Sequence, residues 1–578
     1  MRRPRVWAPI PGLVELVLGD QRVPMVLTDG GWWEGLEDAL TAGTDYAFAL
    51  DGGDPLPDPR SPWQPDGVHG ASRWVEHADF AWHDQGWQPP AWASAVVYEL
   101  HVGTFTPGGT FDSAIERLDH LVELGISHVE LMPVAEFPGE RGWGYDGVGL
   151  FAPHHAYGGP DGLKRLVDEA HARGLAILID VVYNHLGPDG NYLPRFGPYL
   201  TDRHRTLWGE AVNLDGPGSD EVRRFLCDNA IGWLRDYHVD GLRIDAVHAF
   251  VDSSATHFLE QLSAEVDALE VELGRPLLLI AESDLNDPRV VRPRDKHGLG
   301  MDAQWSDDFR HALHVTLTGE TDGIYGDFTD LADLCTALRD VFVYAGKRSR
   351  YRDRRHGRPV GNMPRSRFVG FLQDHDQVGN RALGERSSHL LGVDALRVAA
   401  AIVLLGPQVP MLFHGEEWGA STPFLYFTDH QDPKIAEAVR TGRREEFSAF
   451  EVRGEVPDPQ APETFARSKL DWEETGREPH AGLLDWHRRL VHARRTIPDL
   501  AAGPVPEVRC DESAGWLLVR RGSSWLAANF GKDVALIDLG TSAPLEVDLA
   551  SKLDVALEGG SIALPPMSAA LVVARPPG

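Results

Sequence analysis

Acidic side chains follow several apolar segments in the middle of this chain of 578 residues. Asp245 comes two positions after Arg243, and Glu282 directly follows the run Leu-Leu-Leu-Ile-Ala. Asp376 lies beside His375 in a third polar stretch. Hydrolysis of a glycosidic bond needs two carboxyl groups in opposite protonation states, one to attack the anomeric carbon and one to protonate the leaving oxygen. These residue types therefore point to a glycosidase.

The surroundings of the three acids predict a separate role for each. Alternate residues of a strand share a face, so the Arg243 guanidinium would lie beside Asp245 and keep it ionised, as a nucleophile requires. The apolar approach to Glu282 is compatible with a raised pKa, as a general acid requires. Asp376 would bind sugar hydroxyls and favour the distorted transition-state ring. Two structural alternatives stay open: a helix N-cap for each acid, and a structural ion pair between Arg243 and Asp245.

Apolar strand segments alternate with helical segments across the middle of the chain, which predicts an α/β fold built as a (β/α)8 TIM barrel. A doubly wound open sheet is the competing fold, and it is disfavoured because no glycine fingerprint follows the first strand. Functional residues of a barrel lie at the carboxyl ends of its strands, so neighbouring strands would place Asp245 and Glu282 about 5 Å apart, the spacing of retaining enzymes. The eight strand segments are 95–100, 128–134, 176–182, 241–245, 277–282, 301–305, 367–373 and 409–414.

Two regions of short alternating strands flank the predicted catalytic barrel of residues 91–497. Residues 1–90 predict an N-terminal β-sandwich resembling a carbohydrate-binding domain, and residues 498–578 predict a C-terminal β-sandwich. The barrel contains an inserted region at about 186–220 that is rich in Gly, Pro and Asp, and loops of such length usually build a site.

Composition excludes several classes of partner. The 55 Lys and Arg residues and 87 Asp and Glu residues give a formal charge of −32, which argues against nucleic acid or an anionic membrane as partner. Cys227, Cys335 and Cys510 are widely spaced and predict neither a disulfide framework nor a zinc site. No apolar signal segment or membrane-spanning run is present, so we expect a cytoplasmic protein.

Four motifs resemble the conserved stretches of the α-amylase superfamily, glycoside hydrolase family 13, in order and spacing. The motifs are DVVYNH at 180–185, GLRIDAVHA at 241–249, IAES at 280–283 and FLQDHDQ at 371–377. The resemblance implies that Asp245 is the nucleophile, Glu282 the general acid and base, and Asp376 the stabiliser of the transition state. It further implies sugar contacts by Tyr145, His185, Arg243 and His375, and we add His248, Asp284 and Gln377 as candidate substrate-binding residues.

Longer segments resemble the maltooligosyltrehalose trehalohydrolase family within that superfamily. They are the segment from VELMPVAEFPGERGWGYDG to APHHAYGG, the segment FLQDHDQVGNRALGER, and PFLYFTDH at 423–430. The family cleaves the α-1,4 bond next to a terminal trehalose, so the resemblance implies maltooligosyl trehalose and maltodextrins as ligands and functional coupling to a maltooligosyl trehalose synthase. The hydrolytic mechanism requires no metal and no cofactor, although Asn184 resembles a calcium-associated position of some amylases, which a cytoplasmic enzyme need not fill.

Two residues depart from the pattern of the superfamily. His248-Ala249 stands where many α-amylases have Lys-His, which argues against a plain endo-amylase, although a buried histidine facing a helix is the alternative for His248. Asp374 stands where Asn is common, and a second acid there would favour the imidazolium form of His375. A glucan branching or debranching enzyme, and a non-catalytic glucan-binding protein, stay open as alternative functions.

The residues that grip the leaving group are a further open point. Candidates are Asp284, Asn286 and His248, which closely follow catalytic strands. The region 186–220 and the segment Glu416–Trp418 are others.

Overall fold

Eight parallel strands form a closed barrel at the centre of the protein, and each strand pairs with its neighbours in chain order. The structure is a computed structural model that describes residues 3–37, 40–447, 455–502 and 505–575. All eight predicted strand segments lie on these strands, and closure of the sheet excludes the doubly wound alternative. In chain order the first to eighth barrel strands are Val97–Leu100, His128–Leu131, Ala176–Val181, Gly241–Ile244, Leu278–Ala281, Ala303–Trp305, Phe368–Gly370 and Val409–Phe413.

Helices follow the barrel strands and bury their apolar faces against them, as the alternation of patterns predicts. Helix Leu118–Leu124, which precedes the second strand, ends at Gly125, which has φ 91° and donates its N–H to the carbonyls of Leu121 and Val122. This left-handed conformation favours glycine and turns the chain directly into the second strand. The α-helices are Val102–Phe105, Phe111–Ile115, Leu118–Leu124, Gly159–Ala172, Leu193–Phe196, Ser219–Asp236, Phe258–Leu273, Asp307–Thr318, Leu331–Asp340, His375–Gly379, Ser387–Leu390, Val393–Leu405, Pro433–Phe447, Pro462–Arg467, His480–Thr496 and Pro498–Ala502.

Antiparallel sheets precede and follow the barrel. The N-terminal sheets contain Arg5–Trp7, Val14–Leu18, Gln21–Pro24, Val26–Leu27, Trp32–Glu34, Asp45–Leu50, Pro55–Leu56 and Ser72–Arg73. The C-terminal sheets contain Glu507–Asp511, Trp516–Arg521, Ser524–Asn529, Ala535–Asp538, Leu545–Ala550, Ala556–Glu558, Ser561–Leu564 and Ser568–Ala574. Apolar residues of both C-terminal sheets share one buried cluster, as in a sandwich. The domain limits near 90 and 498 stay predictions.

Two insertions reach the carboxyl ends of the barrel strands. The region predicted as a loop at 186–220 instead contains a β-hairpin of Leu200–Thr206 and Gly209–Val212, because its backbone groups pair with each other. A second insertion lies between helix Asp307–Thr318 and the seventh strand, and it contains a small hairpin of Arg348–Ser349 and Arg354–Arg355. Among the described residues, no helix is both long and apolar enough to cross a lipid bilayer.

The amino-terminal end of the barrel is tied together by a buried network around Asp240, which precedes the fourth strand. His171 contacts Asp240 Oδ2 at 2.9 Å and Asp84 Oδ2 at 3.0 Å through its two ring nitrogens. Arg275 and the Trp87 indole donate to the other oxygen of Asp240. Burial lowers the pKa of His171, but the two carboxylates outweigh burial and raise it above its ordinary value.

We expect this network to make stability depend on pH. The folded-state pKa of His171 is raised, so its contribution is complete below its unfolded pKa of about 6.5 and is lost as pH rises through the folded pKa. His171→Gln should lower the melting temperature more at pH 6, where loss of one partner of a buried ion pair costs about 3 kcal/mol, than at pH 9. The exposed His492 provides the control variant His492→Gln. Equal losses at both pH values would contradict the prediction.

Candidate active site

Polar side chains at the carboxyl ends of the barrel strands surround a pocket of about 410 Å³. Seven of the residues predicted for the site line it: Asp245, Glu282, Asp376, Tyr145, His185, His248 and His375. Arg243 lies beneath them and is 1% exposed. Asp284 and Gln377 are outside the lining set. The remaining lining residues are Trp143, Asp146, Trp208, Ala246, Asn380, Tyr426, Phe427 and Thr428.

The Arg243 guanidinium joins three carboxylates at the floor of the pocket. Its Nη1 donates to Asp180 Oδ2 at 2.7 Å and to Asp245 Oδ1 at 2.9 Å. Its Nη2 lies 2.9 Å from Glu282 Oε2, and its Cζ lies 4.4 Å from the ring centre of Trp305. The pair of Arg243 and Asp245 predicted from the sequence is therefore part of a larger cluster that includes Glu282.

This cluster reverses the protonation preferences expected from the sequence. Burial raises the pKa of Asp245 well above its ordinary value, and the nearby charge of Glu282 raises it further. Burial also favours protonated Glu282, but Arg243 and the Ala246 N–H stabilise its carboxylate and lower its pKa. The expectation failed because an apolar run before Glu282 does not reveal that the second guanidinium nitrogen faces it. The two acids interact strongly enough that they titrate as a pair.

A strained turn follows the fourth strand and contributes to this pair. Ala246 has φ 41° and ψ 52°, a left-handed conformation that costs energy for a residue with a Cβ. The turn directs the Ala246 N–H to Glu282 Oε2 at 2.9 Å. The backbone next to Asp245 thus holds the carboxylate of the neighbouring strand.

The ring of Tyr145, which was predicted to contact the sugar, is stacked on His375, with ring centres 5.0 Å apart at an angle of 22°. The Tyr145 hydroxyl donates to Asp180 Oδ2 at 2.5 Å. His375 Nδ1 contacts Glu99 Oε1 at 2.5 Å, and Glu99 also accepts from the His375 backbone N–H. Glu99 is 1% exposed and was not predicted from the sequence, although an acid inside the first apolar strand run was a usable signal.

Asp374 begins the short helix that carries His375 and Asp376. Its side chain caps helix His375–Gly379 by accepting from the Gln377 N–H at 2.8 Å. The imidazole of His375 contacts Glu99 instead. Asp376 faces the pocket, where its Oδ1 accepts from the Asn380 side chain at 3.0 Å. Burial raises the pKa of Asp376 to about 6, and the His375 ring opposes that rise.

The inserted hairpin brings an unpredicted tryptophan to the pocket. Trp208 stacks on His185 with ring centres 4.8 Å apart at an angle of 8°, and it is 46% exposed. Burial lowers the pKa of His185 to about 4, so the ring is neutral, and Nε2 lies 3.0 Å from the Tyr145 carbonyl. Trp208 lies in the region 186–220. Its residue type was the only feature of the sequence that could have indicated a place in the pocket.

The remaining candidates for the leaving-group side divide into two groups. His248 is exposed in the pocket, so the alternative of a buried histidine is wrong, and its Nε2 lies 3.9 Å from Asp284 Oδ1. Asp284 also accepts from Arg352 of the second insertion at 3.3 Å. Asn286 is buried and donates to Asp308, and Glu416–Trp418 is buried away from the pocket. Neither Asn286 nor the segment Glu416–Trp418 lines the pocket, and both bond to other parts of the protein.

One group in the described part of the chain has the donor types of a metal site. Glu136, His154 and His155 place one ligand atom each within 4.8 Å of one another. The Nδ1 of His155 already contacts Glu136 Oε1 at 2.7 Å, and its Nε2 contacts Glu140 at 3.2 Å. These contacts raise the pKa of His155 to about 9, so an imidazolium between two carboxylates accounts for the group.

Comparison with known proteins places the chain among α-glucan enzymes. Residues 71–198 match the model of the alpha amylase catalytic domain. A malto-oligosyltrehalose trehalohydrolase from Arthrobacter ramosus is 54% identical over 90% of this chain and 91% of its own length. Another from Rhizobium sp. strain M-11 is 49% identical over 98% of this chain and 97% of its own length.

A solved structure agrees with these relatives. A crystal structure described as a putative alpha amylase from Salmonella typhimurium superposes with a TM-score of 0.91 at 39% identity. The superposition covers 99% of this chain and 97% of the other. The closed barrel with its terminal sheets is thus shared along the whole length. The chain belongs to the malto-oligosyltrehalose trehalohydrolase family, and it is a glycoside hydrolase of the alpha-amylase type.

Proposed function

We propose that this enzyme hydrolyses the α-1,4 bond next to the terminal trehalose of maltooligosyl trehalose, with retention at the anomeric carbon. Trehalose and a shortened maltooligosaccharide are the products. The observation that carries the chemistry is the bridging of Asp245 and Glu282 by one guanidinium, with 2.9 Å to each carboxylate. Because one guanidinium contacts an oxygen of each acid, the two carboxyl groups lie close together. This arrangement is compatible with the separation of about 5 Å between the two carboxyl groups that retention requires.

In the proposed first step, an oxygen of Asp245 attacks the anomeric carbon while Glu282 gives its proton to the glycosidic oxygen. The bond between that carbon and oxygen breaks, and trehalose leaves with the proton. In the second step Glu282 takes a proton from water, and the water oxygen displaces Asp245 from the anomeric carbon. The product leaves with the original anomeric configuration, and both carboxyl groups return to their starting states.

The proposed first step needs protonated Glu282 and ionised Asp245. Substrate binding therefore has to place the proton of this acid pair on Glu282. The free pair favours protonated Asp245, because Arg243 and the Ala246 N–H stabilise the carboxylate of Glu282. A glycosidic oxygen against Glu282 accepts a hydrogen bond only from the protonated acid, so binding favours that form. Arg243 contacts both acids, so its hydrogen bonds can support either state of the pair.

The other pocket residues are assigned to holding the reacting glucose. Tyr145 offers a ring face stacked on His375, which the pairing with Glu99 holds in place. Asp376 would accept hydroxyl hydrogen bonds that strengthen as the ring distorts. Neutral His185 and Trp208 form a second aromatic wall.

The trehalose unit is assigned to the side of the pocket where His248 lies, with Asp284 and Arg352 beyond it. A glucan that ends in trehalose has to be made by an enzyme that converts a reducing end into an α,α-1,1 linkage, so we propose coupling to a maltooligosyl trehalose synthase. The three free thiols fit a cytoplasmic enzyme.

Two alternatives are weaker. A branching or debranching enzyme shares the acids and the flanking sheets, but the family to which the chain belongs is that of the trehalohydrolases. A non-catalytic glucan-binding protein would not need Asp245, Glu282 and Asp376 together around one pocket.

The decisive assay offers the enzyme maltotriosyl trehalose and, separately, amylose. We expect free trehalose from the first substrate and about ten-thousandfold lower kcat/KM on internal bonds of amylose, because discrimination of that size follows when polar groups of a subsite lose their hydrogen-bond partners. New α-1,6 branches without new reducing ends would identify a branching enzyme instead. Silence on both substrates would favour the binding protein.

The proton donor is tested with Glu282→Gln. We expect kcat for maltotriosyl trehalose to fall on the order of a thousandfold, since general acid catalysis is lost, while calorimetry still detects substrate binding. Glu272→Gln, on the exposed side of helix Phe258–Leu273, is the matched control and should keep wild-type activity. Undiminished turnover by Glu282→Gln would remove this residue from the mechanism.

The pH profile tests the requirement for ionised Asp376. Its pKa is raised to about 6, so kcat/KM should decline below pH 6 by about tenfold per pH unit as this carboxylate is protonated. The charge of Asp374 contributes to that raised pKa. Asp374→Asn keeps an N-cap but removes the charge, so the acid limb should move to lower pH. An acid limb that does not move in this variant would assign the decline to another group.

A further inference from the structure

Two of the three cysteines of the chain meet where the C-terminal sheets contact the second insertion of the barrel. Cys335 lies on the buried face of helix Leu331–Asp340 and is 3% exposed. Cys510 lies in strand Glu507–Asp511, which packs against that helix, and is half-buried. The thiol groups of Cys335 and Cys510 are in hydrogen-bonding contact. The pair therefore joins two parts of the fold that are distant in the sequence.

The packing around the pair directs Cys510 toward the helix that carries Cys335. Alternate residues of a strand share a face, and both Val508 and Cys510 pack against the apolar cluster to which Cys335 belongs. Just after the strand, the Glu512 carboxylate accepts from the first two N–H groups of helix Leu331–Asp340, at 3.0 and 3.2 Å. The placement of this strand, as well as the contact of the thiols themselves, thus sets the two sulfur atoms against each other.

The two thiols differ in their access to an oxidant. Cys510 is half-buried in the edge strand of its sheet, whereas Cys335 is enclosed. Burial raises the pKa of the Cys335 thiol, so this group stays protonated, whereas oxidants react readily with thiolates. Oxidation therefore begins at Cys510. A disulfide needs sulfur atoms about 2 Å apart, and rotation of the Cys510 side chain or a small shift of its edge strand brings the thiols that close.

We propose that Cys335 and Cys510 form a reversible disulfide that locks the C-terminal sheets onto the second insertion when the enzyme meets a hydroperoxide. The Cys510 sulfur first attacks a peroxide oxygen, the O–O bond breaks, and Cys510 becomes a sulfenic acid while the other peroxide oxygen leaves with the thiol proton. The Cys335 sulfur then attacks the Cys510 sulfur, and the S–O bond breaks. The hydroxyl group leaves as water with the proton of Cys335. The two thiols lose two electrons in all, and the peroxide gains them.

The lock acts on the stability of the fold and leaves the chemistry of the pocket unchanged, because neither cysteine lines the pocket. A disulfide between residues so distant in the chain closes a long loop and restricts the unfolded state most. A reducing cytoplasm keeps the thiols free, so the lock closes under oxidising conditions and opens when thiol reductants return. It does not depend on which glucan the enzyme cleaves.

The cross-link is tested on the full-length enzyme, which is treated with hydrogen peroxide, denatured and alkylated. Peptide mass mapping should find Cys335 joined to Cys510, and dithiothreitol should release both thiols. Cys227, which is buried in helix Ser219–Asp236 and contacts Glu265, should be recovered as an alkylated thiol. Recovery of all three cysteines as alkylated thiols, or a link from Cys510 to a second molecule, would overturn the proposal.

The locking effect is tested by the melting temperature of the same samples. Peroxide should raise it by about 3 °C in the wild type, and dithiothreitol should reverse the rise. Cys510→Ser should lose the rise, and its treatment with peroxide corrects for oxidation of methionines. Cys227→Ala is the matched control and should keep the rise.

Oxidised and reduced wild-type enzyme should have the same kcat on maltotriosyl trehalose within about twofold, because both thiols lie outside the pocket. A cross-link that forms without a change in melting temperature would overturn the lock. An equal rise in Cys510→Ser would overturn it as well, since the stabilisation would then come from another residue.

Discussion

The buried guanidinium of Arg243 is the group on which the active site depends. Three carboxylates, from Asp180, Asp245 and Glu282, lie around it, and burying that many acids without a cation would be prohibitively costly. Asp180 in turn accepts from the Tyr145 hydroxyl, so the ring proposed to face the sugar is also held through Arg243. Removing Arg243 would therefore change the charge of the site, the geometry of the acids and the position of the Tyr145 ring together.

Most of the barrel could be predicted because its signal is local. Each strand is a short apolar run, and the acids follow such runs directly, so neighbouring residues reveal both the element and its polar end. This pattern was sufficient to identify Asp245, Glu282 and Asp376 as pocket residues. The inserted hairpin was not predicted, because Gly, Pro and Asp indicate a turn-rich region without revealing that two of its segments pair.

Contacts between distant parts of the chain explain what the sequence did not reveal. Glu99 and His375 are 276 positions apart, and their contact depends on closure of the first strand against the eighth. The pKa directions of Asp245 and Glu282 depend on which guanidinium nitrogen faces which acid. Asp374 looked like a partner for His375 because the two are adjacent, yet its side chain bonds the backbone three residues along. Orientation of this kind follows from packing alone.

The strands of the hairpin that bears Trp208 pair with each other rather than with the barrel, and Trp208 at the tip stacks on His185. The length and tip of the hairpin can therefore vary without a change in the register of the eight strands. Leu207 at its tip is 95% exposed, so a substitution there meets little packing resistance, whereas Trp208 beside it forms part of the pocket wall. The tip is accordingly a position from which laboratory evolution could redirect the choice of glucan while the acid pair stays intact.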